Sequence, residues 1–350
     1  MSIFQSLVKK EALHIVRDTR TMVITLLMPI VLLLLFGFAI STEVNDVMVV
    51  AVVDQHTDET RDIIQRLNVN DYITFKGLIA PEDADRLLRS GLAEAVVYLK
   101  NEDGKVKSQI VVDASNTNTA QTATAYIRGI ISGNAAKSPV ITNTLYNPQL
   151  KSAYNFVPGI LGMIFILICA IITSVSIVRE KETGTMNLLL VSPVKPQTII
   201  LGKLIPYFLL SCIILTVMLL MAYTVLGLPV SASVVTVVEV SLLYIVLSLS
   251  IGLLVSTIVD TQLTALIVSA VMFMLPVIML SGMIFPIDNM PVILQWISNI
   301  IPARWYIEAM RKLMVQQLDF SYVMKEIVIL ASMTVVLLVL AVGKFKSSTR

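Results

Sequence analysis

Four charged residues in succession, Arg179, Glu180, Lys181 and Glu182, interrupt a chain of 350 residues that is 56% hydrophobic and only 14% charged. Alternating cations and anions cannot by themselves attack, hydrolyse or transfer anything. Their chemistry is ion pairing, with one another or with a partner surface. Gly184 and Thr185 follow at once, and the wider stretch IVREKETGTMNLLLVSPVKPQTIILGK, Ile177 to Lys203, is broken at Gly184, Pro193, Pro196 and Gly202. The pattern predicts a short helix over about 179–191 that presents its charges outward and offers Met186, Leu188, Leu189 and Leu190 to a groove or to lipid.

The rest of the chain supplies little that could do covalent chemistry. It has no G-x-S-x-G, no H-E-x-x-H and no G-x-x-x-x-G-K-[ST]; Gly104-Lys105, Gly202-Lys203 and Gly343-Lys344 each lack the Ser or Thr that completes a phosphate loop. The chain is therefore expected to bind no ATP, metal or other cofactor itself. His14 and His56 stand apart from any second ligand, and Cys169 and Cys212 lie in apolar runs, where a thiol is a small apolar filler. The acids Asp54, Asp58, Glu59 and Asp62, and Glu82, Asp83 and Asp85, lack calcium-loop spacing and sit where a helix's first turn favours negative charge. A net charge of +2 with no basic run among aromatics excludes a nucleic-acid partner.

The elements that must position the charged island are membrane helices. A mean hydropathy of +0.83 exceeds what a water-soluble core needs. Six apolar runs are long enough to span about 30 Å of hydrocarbon: Thr21 to Ile40, Phe156 to Val178, Leu204 to Leu226, Val234 to Val259, Leu263 to Phe285 and Ile327 to Val342. Basic residues precede the first run (Lys9, Lys10, Arg17, Arg20), follow the second (Arg179, Lys181, Lys195, Lys203) and follow the last (Lys344, Lys346, Arg350). An even number of spans places all three clusters on one side, which the positive-inside rule makes cytoplasmic, with both termini inside. Residues 1–20 read as an interfacial amphipathic helix with Phe4, Leu7, Val8 and Ile15 on one face and Lys9, Lys10 and Arg17 on the other.

Between the first two spans, residues 41–155 read as one α/β domain outside the membrane. The runs VMVVAVVD, YITFKG, AEAVVYLK and KSQIVVD predict strands; TDETRDIIQRLN, PEDADRLLRSGL and a stretch from about Asn116 to Gly133 predict helices. Residues 156–350 form the remaining membrane domain. Within it, about 286–325 is too apolar for a free loop, and Pro286, Pro291 and Pro302 break it into a pair of short outer helices, with Trp296, Trp305, Tyr306 and Phe320 suited to an interfacial belt. LSGM, Leu280 to Met283, reads as a small-residue packing site within the fifth span. Glu239 is the one acid well inside a span. It either pairs with Arg304 or Arg311 as an outer gate or rests among headgroups.

Three segments together resemble one family, the permease subunits of ABC type-2 exporters. REKE-x-GT followed by L-x-SPV and GK is closely similar to that family's coupling helix. VKKEALHIVRDTRTMVITLLMPIVLLLLFG looks like its interfacial helix and first span, and LSGMIFPIDNMPVILQWISNIIPARWYIEAMRKL like its segment between the fifth and sixth spans. The resemblance covers nearly the whole chain. It implies a polytopic α-helical membrane protein of six transmembrane helices with an inserted α/β extracytoplasmic domain, paired with a second permease subunit, identical or not, in the bacterial inner membrane. It implies an ABC ATPase subunit carrying ATP and magnesium, docked on Arg179, Glu180, Lys181, Glu182, Gly184 and Thr185, so that the chain is a transport subunit rather than an enzyme. The substrate of such an exporter would be a drug, lipid or other amphipathic molecule, and the outer domain is open to a periplasmic or cell-surface partner. The alternative is a membrane-anchored scaffold or receptor whose outer domain binds a ligand without transport; it needs neither the charged segment nor an ATPase.

The topology is checked in intact cells with a membrane-impermeant maleimide. Ser115→Cys is expected to label from outside and Thr185→Cys only after permeabilisation; labelling of both from one side overturns the six-span arrangement.

Overall fold

The computed structural model describes residues 3–39, 47–70, 72–102, 105–113, 117–132, 152–186, 196–231, 233–287 and 290–348. The chain divides into two compact units, one of Met1–Ile40 with Ser152–Arg350 and one of Ser41–Lys151. It begins with helices α1 (Ile3–Arg17) and α2 (Thr19–Ala39). The second unit holds β1 (Val47–Val53), α3 (Asp58–Asn68), β2 (Ile73–Leu78), α4 (Ala84–Arg89), β3 (Ala95–Glu102), β4 (Lys105–Val112) and α5 (Thr117–Ser132). The first unit then resumes with α6 (Ser152–Glu182), α7 (Pro196–Thr224), α8 (Val234–Ser256), α9 (Gln262–Leu280), α10 (Val292–Ser298), α11 (Pro302–Met310) and α12 (Met324–Ser348).

In the second unit the sheet runs in the order β2-β1-β3-β4. β1 is parallel to both β2 and β3, and β3 and β4 form an antiparallel pair with Ala95 opposite Val112 and Glu102 opposite Lys105. β1 is apolar throughout because both its faces are covered. Val47, Val49 and Ala51 meet Ile63 and Leu67 of α3 and Ile127 of α5, while Val50 and Val52 meet Ala84 and the other face. α3 starts where it does because Thr57 and Thr60 cap each other reciprocally: the Thr60 amide donates to Thr57 Oγ1 at 3.3 Å and the Thr57 amide to Thr60 Oγ1 at 2.9 Å. All four predicted strands and all three predicted helices of this unit are present within a few residues of their expected ends.

Among the described residues of the first unit, five segments are long and apolar enough to cross a membrane: four lie within α6, α7, α8 and α9, and the fifth runs Phe320–Phe345 into α12. The α1–α2 pair, bent by 67°, is a sixth if taken as one span. α6 lies at the centre, packed on α2, α8, α9 and α11. Its approach to α8 is set by Gly252, where a Cβ would lie 2.6 Å from the Ala170 carbonyl oxygen and 2.7 Å from Thr173 Cβ. Hydroxyls and one thiol cross between helices: Ser174 meets Ser269 at 3.0 Å, Cys169 meets Ser211 at 3.3 Å, and Tyr244 donates to the Gly162 carbonyl at 2.9 Å. Where neighbouring lipid is as apolar as leucine, close backbones and such bonds hold helices together.

Three expectations need correction here. The fifth span stops at Leu280 rather than Phe285, because Gly282 turns the chain at φ +79° and Arg311 takes the freed carbonyls of Gly282 and Met283 at 2.8 and 3.3 Å. LSGM is thus a helix stop, although Met283 does pack closely over Gly159. Of the four belt aromatics, Trp296 and Phe320 are exposed, but Trp305 and Tyr306 are buried. Tyr306 stacks on Tyr244 with ring centroids 4.2 Å apart and bonds Ser241 at 3.0 Å, and the Trp305 indole donates to the Asn299 carbonyl. The pair of short helices itself is present as α10 and α11.

Gly252→Ala is expected to force α6 and α8 apart and to cost about 1–3 kcal/mol. Gly343→Ala, where the added methyl group meets open space beyond its own helix, should not destabilise. Thermal unfolding of the two purified variants in detergent tests the contrast.

Candidate functional site

The charged island is the last turn of α6 and not a separate helix. The span continues through Arg179–Glu182, and the remainder of the predicted coupling helix, 187–191, lies outside the described residues. A helix end leaves carbonyls without intrahelical donors. Here Thr183 donates through both its amide (3.0 Å) and its hydroxyl (2.8 Å) to the Arg179 carbonyl, and the Gly184 amide takes the Lys181 carbonyl at 3.1 Å. Gly184 has φ +76°, as expected of a glycine that closes a helix, and Thr185 Oγ1 reaches the Glu180 carbonyl at 3.4 Å. Met186 then turns inward among Ile177, Ile200, Leu253 and Phe345.

Glu180 and Lys181 do not point outward as expected. Glu180 is 8% exposed and sits in a cluster of four charges drawn from three helices. Its Oε1 accepts from Lys10 of α1 at 2.8 Å and lies 3.1 Å from Lys203 of α7. Lys203 also donates to Glu11 of α1 at 3.1 Å, and Lys10 closes the ring on Glu11 at 3.4 Å. The Lys203, Glu11 and Glu180 side chains are 3%, 4% and 11% exposed, while Lys10, 54% exposed, closes the ring at its solvent edge, so two cations and two anions neutralise one another. One residue earlier on α7, Gly202 lets α1 approach closely: a Cβ there would lie 2.3 Å from a Leu7 methyl carbon. One turn further along α7, Tyr207 donates to Ser176 of α6 at 2.7 Å.

Lys181 and Glu182 fasten the same turn to two more helices. The Lys181 ammonium donates to the Ser256 carbonyl and lies 3.5 Å from the Val259 carbonyl, both where α8 ends, and so meets the negative end of that helix. Glu182 Oε2 accepts from the Gln262 amide at 3.1 Å and from its side-chain nitrogen at 2.8 Å, meeting the positive end of α9. Arg179 and Glu182 are the exposed members of the four, and Arg179 has no ion pair among the described residues. One helix end therefore ties together α1, α7, α8 and α9.

The three residues proposed as an outer gate are not brought together. Glu239 is exposed on α8. Arg304 donates to the Gln295 carbonyl and to Ser298 Oγ, each at 3.2 Å, and Arg311 holds Gly282 and Met283. Both arginines brace backbone that has left regular helix. A charge pair that sequence reasoning missed lies nearby: Lys312, within the π-helical turn Arg311–Val315, donates at 2.9 Å to the fully buried Glu326 of α12 and lies 3.5 Å from Glu308. Burial acts against the Lys312 ammonium, but its bond to Glu326 and the two carboxylate charges outweigh it and raise its pKa. Glu11 and Lys203 were also missed as partners, although Glu11 falls in line with Leu7 and Ile15 on the apolar face of α1, where an acid requires a buried partner.

The arrangement contains no nucleophile with its base, and no group of three or more metal-ligating side chains occurs among the described residues. What it can do is transmit displacement, since a load on the turn after α6 reaches four other helices through ion pairs and helix ends. Residues 19–342 match the family model described as ABC-2 family transporter protein. The chain belongs to the ABC-2 transporter family. Among curated relatives of this ABC-2 protein, "Probable multidrug ABC transporter permease YbhS" of Escherichia coli K12 is 29% identical over 331 residues, covering 88% of this chain and 87% of the relative. The similarly titled YbhR of the same strain is 25% identical over 336 residues, 91% of each chain. "Inner membrane transport permease YhhJ", also from that strain, is 26% identical over 258 residues, 69% of this chain and 67% of its own. This ABC-2 chain is accordingly a membrane component of an ABC transporter, and its relatives are permeases.

Lys203→Ala leaves Glu11 and Glu180 buried without their shared cation and is expected to cost roughly 3–5 kcal/mol. Arg179→Ala, on an exposed side chain, should change stability by about 0.5 kcal/mol or less. Chemical unfolding of the purified protein distinguishes the two; equal stability of both variants would show that the buried ring does not hold α1 in place.

Proposed function

We propose that this chain is the six-span permease subunit of an ATP-driven exporter, with both termini and the α6–α7 turn cytoplasmic and the Ser41–Lys151 unit outside. Two such subunits form the pathway, and a separate ATPase subunit supplies ATP and magnesium. The observation that carries the reading is the fastening of the α6 end to α1, α7, α8 and α9 through Glu180, Lys181 and Glu182. An ATPase pressing on Thr183–Thr185 and the segment that follows would move these helices as one body. Arg179, exposed and without an ion pair among the described residues, is the charge best placed to meet the ATPase directly. Glu180 acts from within, as a positioning residue.

The exported substrate is an amphipathic molecule, a reading supported by the multidrug titles of the relatives and by a large amphipathic cavity beside the turn. Exposed Leu263, Ile267, Val271 and Met272 on α9 supply an apolar face for lipid or for the second subunit. Arg304 and Arg311 brace the outer segment, and Glu239 is read as a headgroup-level residue. Family membership favours this reading over a scaffold that binds without transport.

The test is co-reconstitution with the ATPase subunit in proteoliposomes. Glu182→Lys, which sets a cation against the start of α9, and Gly184→Val, which forbids φ +76°, are expected to lower export per ATP hydrolysed about fivefold or more while the complex still purifies. Unchanged export per ATP in both variants would remove the coupling role.

A further inference from the structure

Beside the four-charge ring lies a cavity of about 870 Å³ between α1, α2, α6, α7 and α9. The volume falls within the range of roughly 300–1,000 Å³ that holds drug-sized ligands. Part of its lining is apolar, with Met22, Ile171, Val175, Leu210 and Leu266. The lining also carries three cations, Lys10, Arg179 and Lys203, and three anions, Glu11, Asp18 and Glu180, together with His14. The lining is thus charge-balanced before any ligand enters.

Two groups of this lining remain unused. Both lysines reach Glu180 through Oε1, and Oε2, although buried, has no hydrogen-bond partner among the described residues. A buried carboxylate oxygen without a donor costs free energy that an entering N–H would recover. Arg179 has no anionic partner among the described residues. A ligand with only a cation would satisfy the first group while adding net charge beside Lys10 and Lys203. A ligand with only an anion would satisfy the second and place its charge near Glu11 and Asp18. A zwitterion satisfies both and preserves the balance.

We propose that this cavity binds a zwitterionic amphiphile whose ammonium head carries N–H groups, with the ammonium donating to Glu180 Oε2, the head's anionic group on Arg179 and one apolar chain along Met22, Val175 and Leu266. The inference rests on the reading that this end of the bundle lies at the cytoplasmic leaflet. An ethanolamine phospholipid has this chemistry, whether it resides in the site or is carried by it. A choline head has the same charge but no N–H to donate.

The experiment uses the purified full chain without an ATPase subunit, titrated with fluorescent lysophosphatidylethanolamine and with lysophosphatidylcholine of the same chain length. The ethanolamine form is expected to bind about tenfold more tightly, the size of one hydrogen bond to a charged acceptor. Leu266→Trp, which fills the apolar part of the lining, should weaken both lipids about tenfold or more, and Arg179→Gln should weaken both while leaving the preference between heads intact. Neither variant touches the buried ring, so folding is retained. Equal affinity for the two heads, or wild-type binding by Leu266→Trp, overturns the proposal.

Because no ATPase is present, loss of coupling leaves this binding intact, and loss of binding leaves the coupling test intact. The source of the ligand is then read in proteoliposomes holding the complete transporter. ATP-dependent movement of the labelled lipid, abolished by Leu266→Trp, marks cargo. Stoichiometric lipid in native mass spectra without such movement marks a resident ligand; both results sustain the site.

Discussion

The shared cation of Lys203 is the interaction on which this end of the molecule depends. Glu11 and Glu180 arrive from different helices, and each would be costly to bury alone; with Lys203 between them at 3.1 Å on either side, and Lys10 completing the ring, they fix where α1 lies against α6 and α7. An ion ring in low dielectric is demanding in geometry, so it sets position more than it adds stability. Gly202 and Leu7 fit only with α1 in that place, and Tyr207 and Ser176 extend the registration one turn along. The ends of α8 and α9 are then brought to the same point by Lys181 and Glu182 through their dipoles. Five helices thus share one fixed vertex at the end of α6.

Much of this was legible in the sequence, for reasons that differ by region. The strands and helices of the second unit were readable because each element meets its neighbours through one period, two for strands such as KVKSQIVV and 3.6 for helices such as DETRDIIQRLN. Apolar runs likewise mark spans by length alone. Positions where the chain leaves regular structure were harder. Nothing local announces that Arg311 will come back to Gly282 across 29 residues, and with that bond the fifth span ends early. Trp305 and Tyr306 were read as belt residues because composition cannot distinguish an aromatic at an interface from one stacked inside a bundle.

The charged island shows the same division more sharply. Residue types alone suggested a surface helix with a break at Gly184, and the chain does turn there, at φ +76°. The inward turn of Glu180 was not, because its partners stand 170 positions earlier and 23 later in the chain, at Lys10 and Lys203. A signal was nevertheless present in α1, where Glu11 interrupts the apolar face formed by Leu7 and Ile15. An acid within an apolar stripe implies a cation elsewhere, and Lys203 stands at the start of an apolar span among Ile199, Ile200 and Leu204.

Many hydroxyls along the spans turn back on their own helix: Ser248 to the Tyr244 carbonyl, Ser250 to Val246 and Thr334 to Leu330, each four residues earlier. Such a side chain is satisfied before its helix meets any other, so it enters the bilayer at little cost and carries no information about which helix should be its neighbour. That information is concentrated in the few groups that reach across, such as Ser174 to Ser269 and Tyr244 to Gly162. The membrane bundle can therefore lose most of its hydroxyls to drift and still assemble in one arrangement, while the exchange of a single crossing group removes part of what tells one helix which neighbour to take.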